Sequence, residues 1–263
     1  MSDLLRISRQ DHVATVTLQR PDKHNAINLE LFTALTDAGL QLAEDKSVRV
    51  IILQGDGPSF CAGIDLSVLH EAGENLTPEM MGPQEGSVAN FFQRAAYVWR
   101  EVPVPVICAM HGNVFGAGLQ LALGADLRYA SADCRLSVME IKWGIIPDLA
   151  LSKTLTRLVA LDKAKELAWT GRVLTVDEAV SLGLVTAQSD DPGAAARETA
   201  TLISRQSPSA IRAIKRLLEE AVELSVADAL QLEAKLQLSL LGRPHQLEAV
   251  AANLQKRPPE FDD

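Results

Sequence analysis

Apolar and polar positions alternate over residues 4–8 and 13–18, with a turn at Gln10-Asp11 between them, which predicts two paired strands. The segment Arg20 to Asn28 (RPDKHNAIN) breaks the alternation as a loop. It feeds a stretch of helical periodicity over residues 29–44. Residues 48–54 (VRVIILQ) form a short β-branched run behind that helix, the pattern of a buried parallel strand. The loop GDGPSFCAGIDL follows, punctuated by Gly and Pro. Residues 67–84 carry weak periodicity and predict little regular structure. A helix is expected over residues 90–99 and a second buried strand over 104–110, which leaves through HGNVFGAG into a helix at 119–124. Short strands are expected at 126–130 and 135–137. From residue 150 the pattern is helical almost throughout, in segments 150–160, 162–169, 175–182, 192–206, 208–222 and 225–241, with a short helix in the tail from 245. Gly171, Gly183, Pro192 and Pro208 mark breaks between these segments. No period of 20 to 50 residues recurs.

The 263 residues suit one large α/β domain, alone or with a smaller appendage, and 47 % of them are hydrophobic against 22 % charged. Aromatic residues supply only 4 %, so the core rests on Leu, Val, Ile and Ala. A net charge of −9 would repel phosphate backbones, which argues against nucleic acid as a partner. Cys61, Cys108 and Cys134 are odd in number and lack CxxC spacing, so neither a disulfide framework nor a metal site is expected. The first residues lack the basic-then-apolar pattern of a secretory signal, and no apolar run reaches the ~18 residues of a membrane span. A cytoplasmic location is expected.

Two glycine-containing turns each follow a predicted buried strand: Cys61-Ala62-Gly63-Ile64-Asp65 and Gly116-Ala117-Gly118-Leu119. Amides that open a helix are unpaired and lie at the positive end of its dipole. Two such turns aimed at one point would offer two N–H groups to a single oxygen, which is what an oxyanion requires. The alternatives are plain strand-to-helix connections, or a dinucleotide fingerprint, for which Gly116-x-Gly118 lacks the third glycine.

These segments resemble the crotonase family of enoyl-CoA hydratases and isomerases. Arg20 to Asn28 is similar to its opening loop, Phe60 to Leu66 to its first oxyanion-hole motif, and Gly112 to Asp126 to its second. Leu167 to Arg172, Glu178-Ala179 and Leu182 to Val185 resemble a later core signature, and Lys256 to Phe261 the usual tail. The resemblance implies an α/β fold with a crotonase-type ββα spiral core, here over residues 1–195. It implies a helical C-terminal oligomerisation segment over 196–263 and a homotrimer or dimer of trimers. It also implies an acyl-CoA substrate with no further cofactor, and an oxyanion hole made by the amides of Ile64 and Ala117. The family usually has Gly where Ala117 stands.

At three pocket positions where the family places acids, this chain has Gln120, Glu140 and Asp148. An amide at position 120 cannot exchange a proton at neutral pH. The retained pair, Glu140 and Asp148, implies an isomerase-type proton shift on a 3-enoyl- or dienoyl-CoA. The alternatives are a hydratase working through Glu140 with Gln120 positioning water, and a crotonase-fold protein that binds acyl-CoA or RNA without turnover. Read without the family, Asp148 is equally a helix cap and Glu140 a surface charge beside Lys142. For the CoA, the resemblance points to Lys23, His24, Ala26, Ala62, Asp65 and Leu66, with Lys256 and Phe261 reaching a neighbouring subunit's ligand. Met80, Met81, Phe91, Phe92 and Trp143 are candidates for the acyl pocket, although such residues at helical spacing are more often core.

Overall fold

The computed structural model describes residues 3–263, the side chains of 71–75 excepted. The expected hairpin is present as β1 (Leu5–Gln10) and β2 (Val13–Leu18), paired antiparallel, with Asp11 of the turn at φ 51°. The helix α1 (Leu29–Glu44) begins where Asn28 accepts a hydrogen bond from Leu31 N at 3.0 Å, a side-chain cap on an otherwise orphaned amide. It returns the chain to β3 (Val50–Gly55), parallel to β2. Residues 66–81, where periodicity predicted little, hold two short helices, α2 (Leu66–Asn75) and α3 (Pro78–Met81). Their start signals are local: Thr77 caps α3 and Pro78 opens it, and neither registers in a periodicity count.

The helix α4 (Phe91–Glu101) opens on a reciprocal capping box between Asn90 and Gln93. The strands β4 (Val106–Met110) and β5 (Asn113–Phe115) follow, then α5 (Ala117–Leu123), β6 (Leu127–Ala130) and β7 (Arg135–Ser137). A helical series begins with α6 (Leu151–Leu158), α7 (Leu161–Thr170) and α8 (Val176–Ser181). It is interrupted by a strand that the pattern did not reveal, β8 (Ala187–Gln188), whose two residues are too few to show alternation. The chain ends with α9 (Pro192–Ser204), α10 (Pro208–Glu220), α11 (Val226–Leu240) and α12 (Pro244–Gln255).

Six strands form one sheet in the order β1-β2-β3-β4-β6-β8, parallel from β2 onward, and β5 pairs with β7 in a second, parallel layer. This is the α/β fold expected from the resemblance. One core lies between the sheet and helices α1, α4 and α5, with Phe32, Leu35, Trp99 and Leu119 fully buried. The opposite sheet face is covered by α9, whose Ala196 and Ala200 pack on Val50, Ile52 and Ile107. Residue 195 therefore falls inside a helix that belongs to the sheet, and the outer helical layer starts at α10.

That layer is clipped to the core by one buried lysine. Lys215 Nζ donates to Trp99 O at 3.1 Å, Val104 O at 2.9 Å and Asp126 Oδ2 at 2.9 Å. All three donors are used, so the ammonium is buried without an orphan. Among the described residues no helix is long and apolar enough to cross a membrane.

Candidate active site

Parallel strands place their exits at one edge of the sheet, and ligands of open α/β sheets gather there. The loop after β2 carries residues 19–28, the loop after β3 carries 56–65, and the turn after β5 leads into α5. Backbone bonds lace the first two loops together: Ala62 N to His24 O at 2.9 Å, Ile27 N to Gly63 O at 2.8 Å, and Asp65 N to Ile27 O at 2.9 Å. The second and third are joined by Cys61 N to Asn113 O at 3.1 Å and Phe115 N to Cys61 O at 3.0 Å. A methyl group on Gly63 would lie 3.9 Å from Ala117 N, and one on Gly118 only 2.3 Å from Cys61 O. The two glycine turns, distant in sequence, are thus in contact. Among the described residues, neither Ile64 N nor Ala117 N donates to a backbone acceptor. Gly116 turns at φ 50° and ψ −118°, a conformation that suits glycine, and so presents the Ala117 amide.

Glu140 opens a 3-10 turn that follows β7, and Gly116 N is tied to Ser137 O at 2.9 Å. This brings the Glu140 carboxyl to the second turn, with Oε1 3.1 Å from where a methyl on Gly116 would stand. Glu140 is only 6 % exposed, which removes the surface-charge alternative. Its Oε1 accepts from Gln120 Nε2 at 2.6 Å, and its buried Oε2 has no partner among the described residues. Burial raises the carboxyl above its ordinary pKa, with the nearby Asp148 adding to the rise and the Gln120 donor opposing it. Asp148 is half-buried and burial raises it as well. The capping alternative for Asp148 does not hold: the residue before α6 is Ala150, at φ 60°, and the helix has no side-chain cap. Gln120 does not face open space, because its Oε1 is taken by Leu149 N at 2.8 Å.

The nucleotide-side candidates divide. Lys23, His24, Ala26, Ala62, Asp65 and Leu66 adjoin one another on the laced loops, with Lys23, His24 and Leu66 exposed. His24 Nδ1 lies 3.0 Å from Ser59 Oγ. The side chain of Asp65 is already engaged, by Arg20 at 3.0 Å and by Ser67 N at 3.2 Å. Burial pushes its carboxyl up, but the Ser67 and Arg20 bonds outweigh this and hold it below the usual range. Ala26 O likewise accepts from the Arg20 guanidinium. Lys256 caps the C-terminal end of α12, and within one chain Phe261 is not brought to this site. Phe261 O is bound by Arg49 Nη2 at 2.8 Å, beside the first residue of β3 and so at the opposite edge of the sheet.

Asn25 organises the opening loop, and residue typing alone did not single it out. Its Oδ1 accepts from Arg20 N at 2.8 Å, and its Nδ2 donates to Asp56 O at 2.9 Å and Ser59 O at 2.8 Å. Two successive residues at positive φ, His24 and Asn25, are what this pinning holds in place. An Asn inside a loop after a strand was the available signal.

The acyl-pocket candidates also divide. Phe92 is buried in an aromatic cluster with Phe32 and Phe91, ring centroids 5.1 to 6.1 Å apart. Met80 is partly buried against the core, whereas Met81 and Trp143 are half exposed. The three cysteines are buried and free, and burial raises Cys61 and Cys134 to about 12, which leaves them inert as nucleophiles. A cavity of 790 Å³ between α4, α6 and α10 contains none of the site residues, and its Arg100 and Arg157 are paired with Glu219. Cavity size therefore does not locate this chemistry.

The sequence profile of the family described as Enoyl-CoA hydratase/isomerase matches residues 8–263. The enoyl-CoA hydratase domain-containing protein 2, mitochondrial, of Bos taurus is 34 % identical over 259 residues, covering 95 % of this chain and 84 % of its own. The crystal structure of an enoyl-CoA hydratase from Bacillus anthracis superposes with a TM-score of 0.89 at 29 % identity, covering 98 % of each chain. That of an enoyl-CoA hydratase from Mycobacterium tuberculosis gives 0.87 at 29 % identity over 99 % of each. This chain belongs to the enoyl-CoA hydratase/isomerase family.

Proposed function

We propose that the chain acts on an enoyl-CoA thioester by shifting a double bond through an enolate. The thioester oxygen is held by the amides of Ile64 and Ala117, and protons move through Glu140 and Asp148. On a 3-enoyl-CoA, one carboxylate takes the proton from C2. The C2–H electrons flow toward the carbonyl, whose oxygen gains charge between the two amides. The other carboxyl, neutral, gives its proton to C4. The electrons return, the bond closes between C2 and C3, and the thioester carbonyl is restored. No further cofactor is required, because coenzyme A is part of the substrate.

The observation that carries this reading is a pair of carboxyl groups, Glu140 buried and Asp148 half-buried, whose surroundings favour the neutral form; the Glu140 carboxyl lies against Gly116, directly before Ala117, and its Oε2 has no partner among the described residues. Raising the pKa of a carboxyl group makes its ionised form a stronger base, which suits a group that takes a proton and returns it. A second reading, hydration of a 2-enoyl-CoA by water activated at Glu140, is favoured by the names of the relatives. The conjugated-thioester absorbance separates the two. A rise on adding a 3-enoyl-CoA supports the isomerase, and a fall on adding a trans-2-enoyl-CoA supports the hydratase. A flat trace with both, together with measurable CoA binding, supports a protein that binds without turnover.

The same reading includes assembly as a homotrimer or dimer of trimers. Its support is the apolar surface that the outer helices leave in water, with Val226 79 %, Leu238 72 % and Leu254 80 % exposed. A monomer by sedimentation at micromolar concentration would remove it.

A further inference from the structure

Gln120 is 1 % exposed and joins two elements that carry the acids. Its Oε1 accepts from Leu149 N, the amide directly after Asp148, and its Nε2 donates to Glu140 Oε1. The orientation of this amide is fixed by chemistry. Turned over, Gln120 would set its NH2 against the Leu149 N–H and its carbonyl against a carboxyl oxygen. Glu140 Oε1 is therefore permanently an acceptor. Because the carbonyl oxygen of a neutral carboxyl is its better acceptor, the Gln120 donor makes Oε1 the carbonyl and places the proton on Oε2, the buried oxygen with no partner among the described residues.

We infer that Gln120 is a positioning residue: it locks Glu140 in one orientation with the transferable proton on Oε2 alone, and it ties that carboxyl to the loop carrying Asp148. The inference rests on the reading that Glu140 moves the proton in the reaction proposed above. It differs from a role in holding water, since one N–H and the carbonyl of the amide are already engaged by Glu140 and Leu149. It also gives a physical reason for an amide at this position. A carboxylate at 2.6 Å from Glu140 would repel it once both were ionised, whereas an amide donates to it at every pH. Among the described residues, Asp148 is the charged group that acts on Glu140. Lys142, on the same 3-10 turn, is exposed.

Two variants and two readouts test this. The first readout needs no substrate: a carbon-13 titration of the Glu140 carboxyl in the free enzyme, assigned by its loss in Glu140→Gln. In Gln120→Leu the donor to the charged form is gone, so the Glu140 midpoint should move to higher pH. Turnover should fall roughly tenfold with KM within about threefold, since what is lost is positioning rather than substrate binding. Gln120→Glu is the isosteric control. As a neutral acid it can repeat both bonds, so its kcat should stay within about threefold of the wild type at the acid end and fall away as pH rises. A Glu140 midpoint unmoved in Gln120→Leu, or a Gln120→Glu profile parallel to the wild type at every pH, would overturn the inference. An enzyme inert toward enoyl-CoA whose Glu140 midpoint still shifts in Gln120→Leu would refute the reaction and keep the clamp.

Discussion

In the proposed reaction the chemistry narrows to a few atoms: the backbone nitrogens of Ile64 and Ala117 and the Oε2 of Glu140, none of which has a partner among the described residues. Glu140 and Asp148 are not interchangeable in their surroundings. Glu140 is buried and held by Gln120, whereas Asp148 is half-buried on a loop. Asp148→Asn should abolish the double-bond shift while leaving CoA affinity nearly unchanged, as read by 3-enoyl-CoA turnover and CoA titration. A fully active variant would remove Asp148 from the mechanism. Glu140→Gln should cost on the order of 10²-fold or more in kcat. Both groups also bear on stability. Each has a pKa raised by folding, so its contribution is fully present below the unfolded pKa and is lost as pH rises through the folded one. The neutral isosteres Glu140→Gln and Asp148→Asn should therefore melt higher than the wild type, by about 2 °C or more near pH 8, and by less near pH 5. Calorimetry at the two pH values measures the difference.

Among elements, the decisive contact is the join between the loop after β3 and the start of α5. Gly118 packs against the Cys61 backbone so closely that any Cβ would stand 2.3 Å from its carbonyl oxygen. Gly118→Ala should cost about 2–4 kcal/mol in denaturant unfolding, and the residual folded enzyme should lose turnover because the Ala117 amide is displaced. Gly82→Ala is the control. Its nearest neighbours would lie at 3.6 and 3.7 Å, so its effect should stay within about 0.5 kcal/mol. Elsewhere the elements follow local rules that the chain states openly. Asn28, Asn90, Thr175, Ser207 and Ser225 each accept a first-turn amide at a helix start.

For the whole molecule, the outer helices depend on Lys215. Replacing it with Met would strand Trp99 O and Val104 O and take the cation from Asp126. Lys215→Met should destabilise by about 3–5 kcal/mol, with the earliest rise in hydrogen exchange in α10 to α12. An unchanged exchange pattern there would show that α10 is held by its other contacts, the pairs of Glu219 with Arg100 and Arg157 among them.

The sequence by itself determined the elements whose signals are local or repeated along the chain. The hairpin, α1 from residue 29 to 44 and the helical series beyond residue 150 follow from alternation, 3.6-residue periodicity and side-chain caps. Its motifs also marked Ile64, Ala117, Glu140 and Asp148 as candidates. Only the tertiary structure decided what surrounds them. That Gln120 bridges Glu140 and Leu149, that Glu140 Oε2 has no partner among the described residues, and that Phe261 lies across the sheet from the site all depend on pairings between distant segments. The physical reason is that burial and hydrogen-bond satisfaction are properties of a three-dimensional neighbourhood, whereas periodicity and capping are properties of adjacent residues.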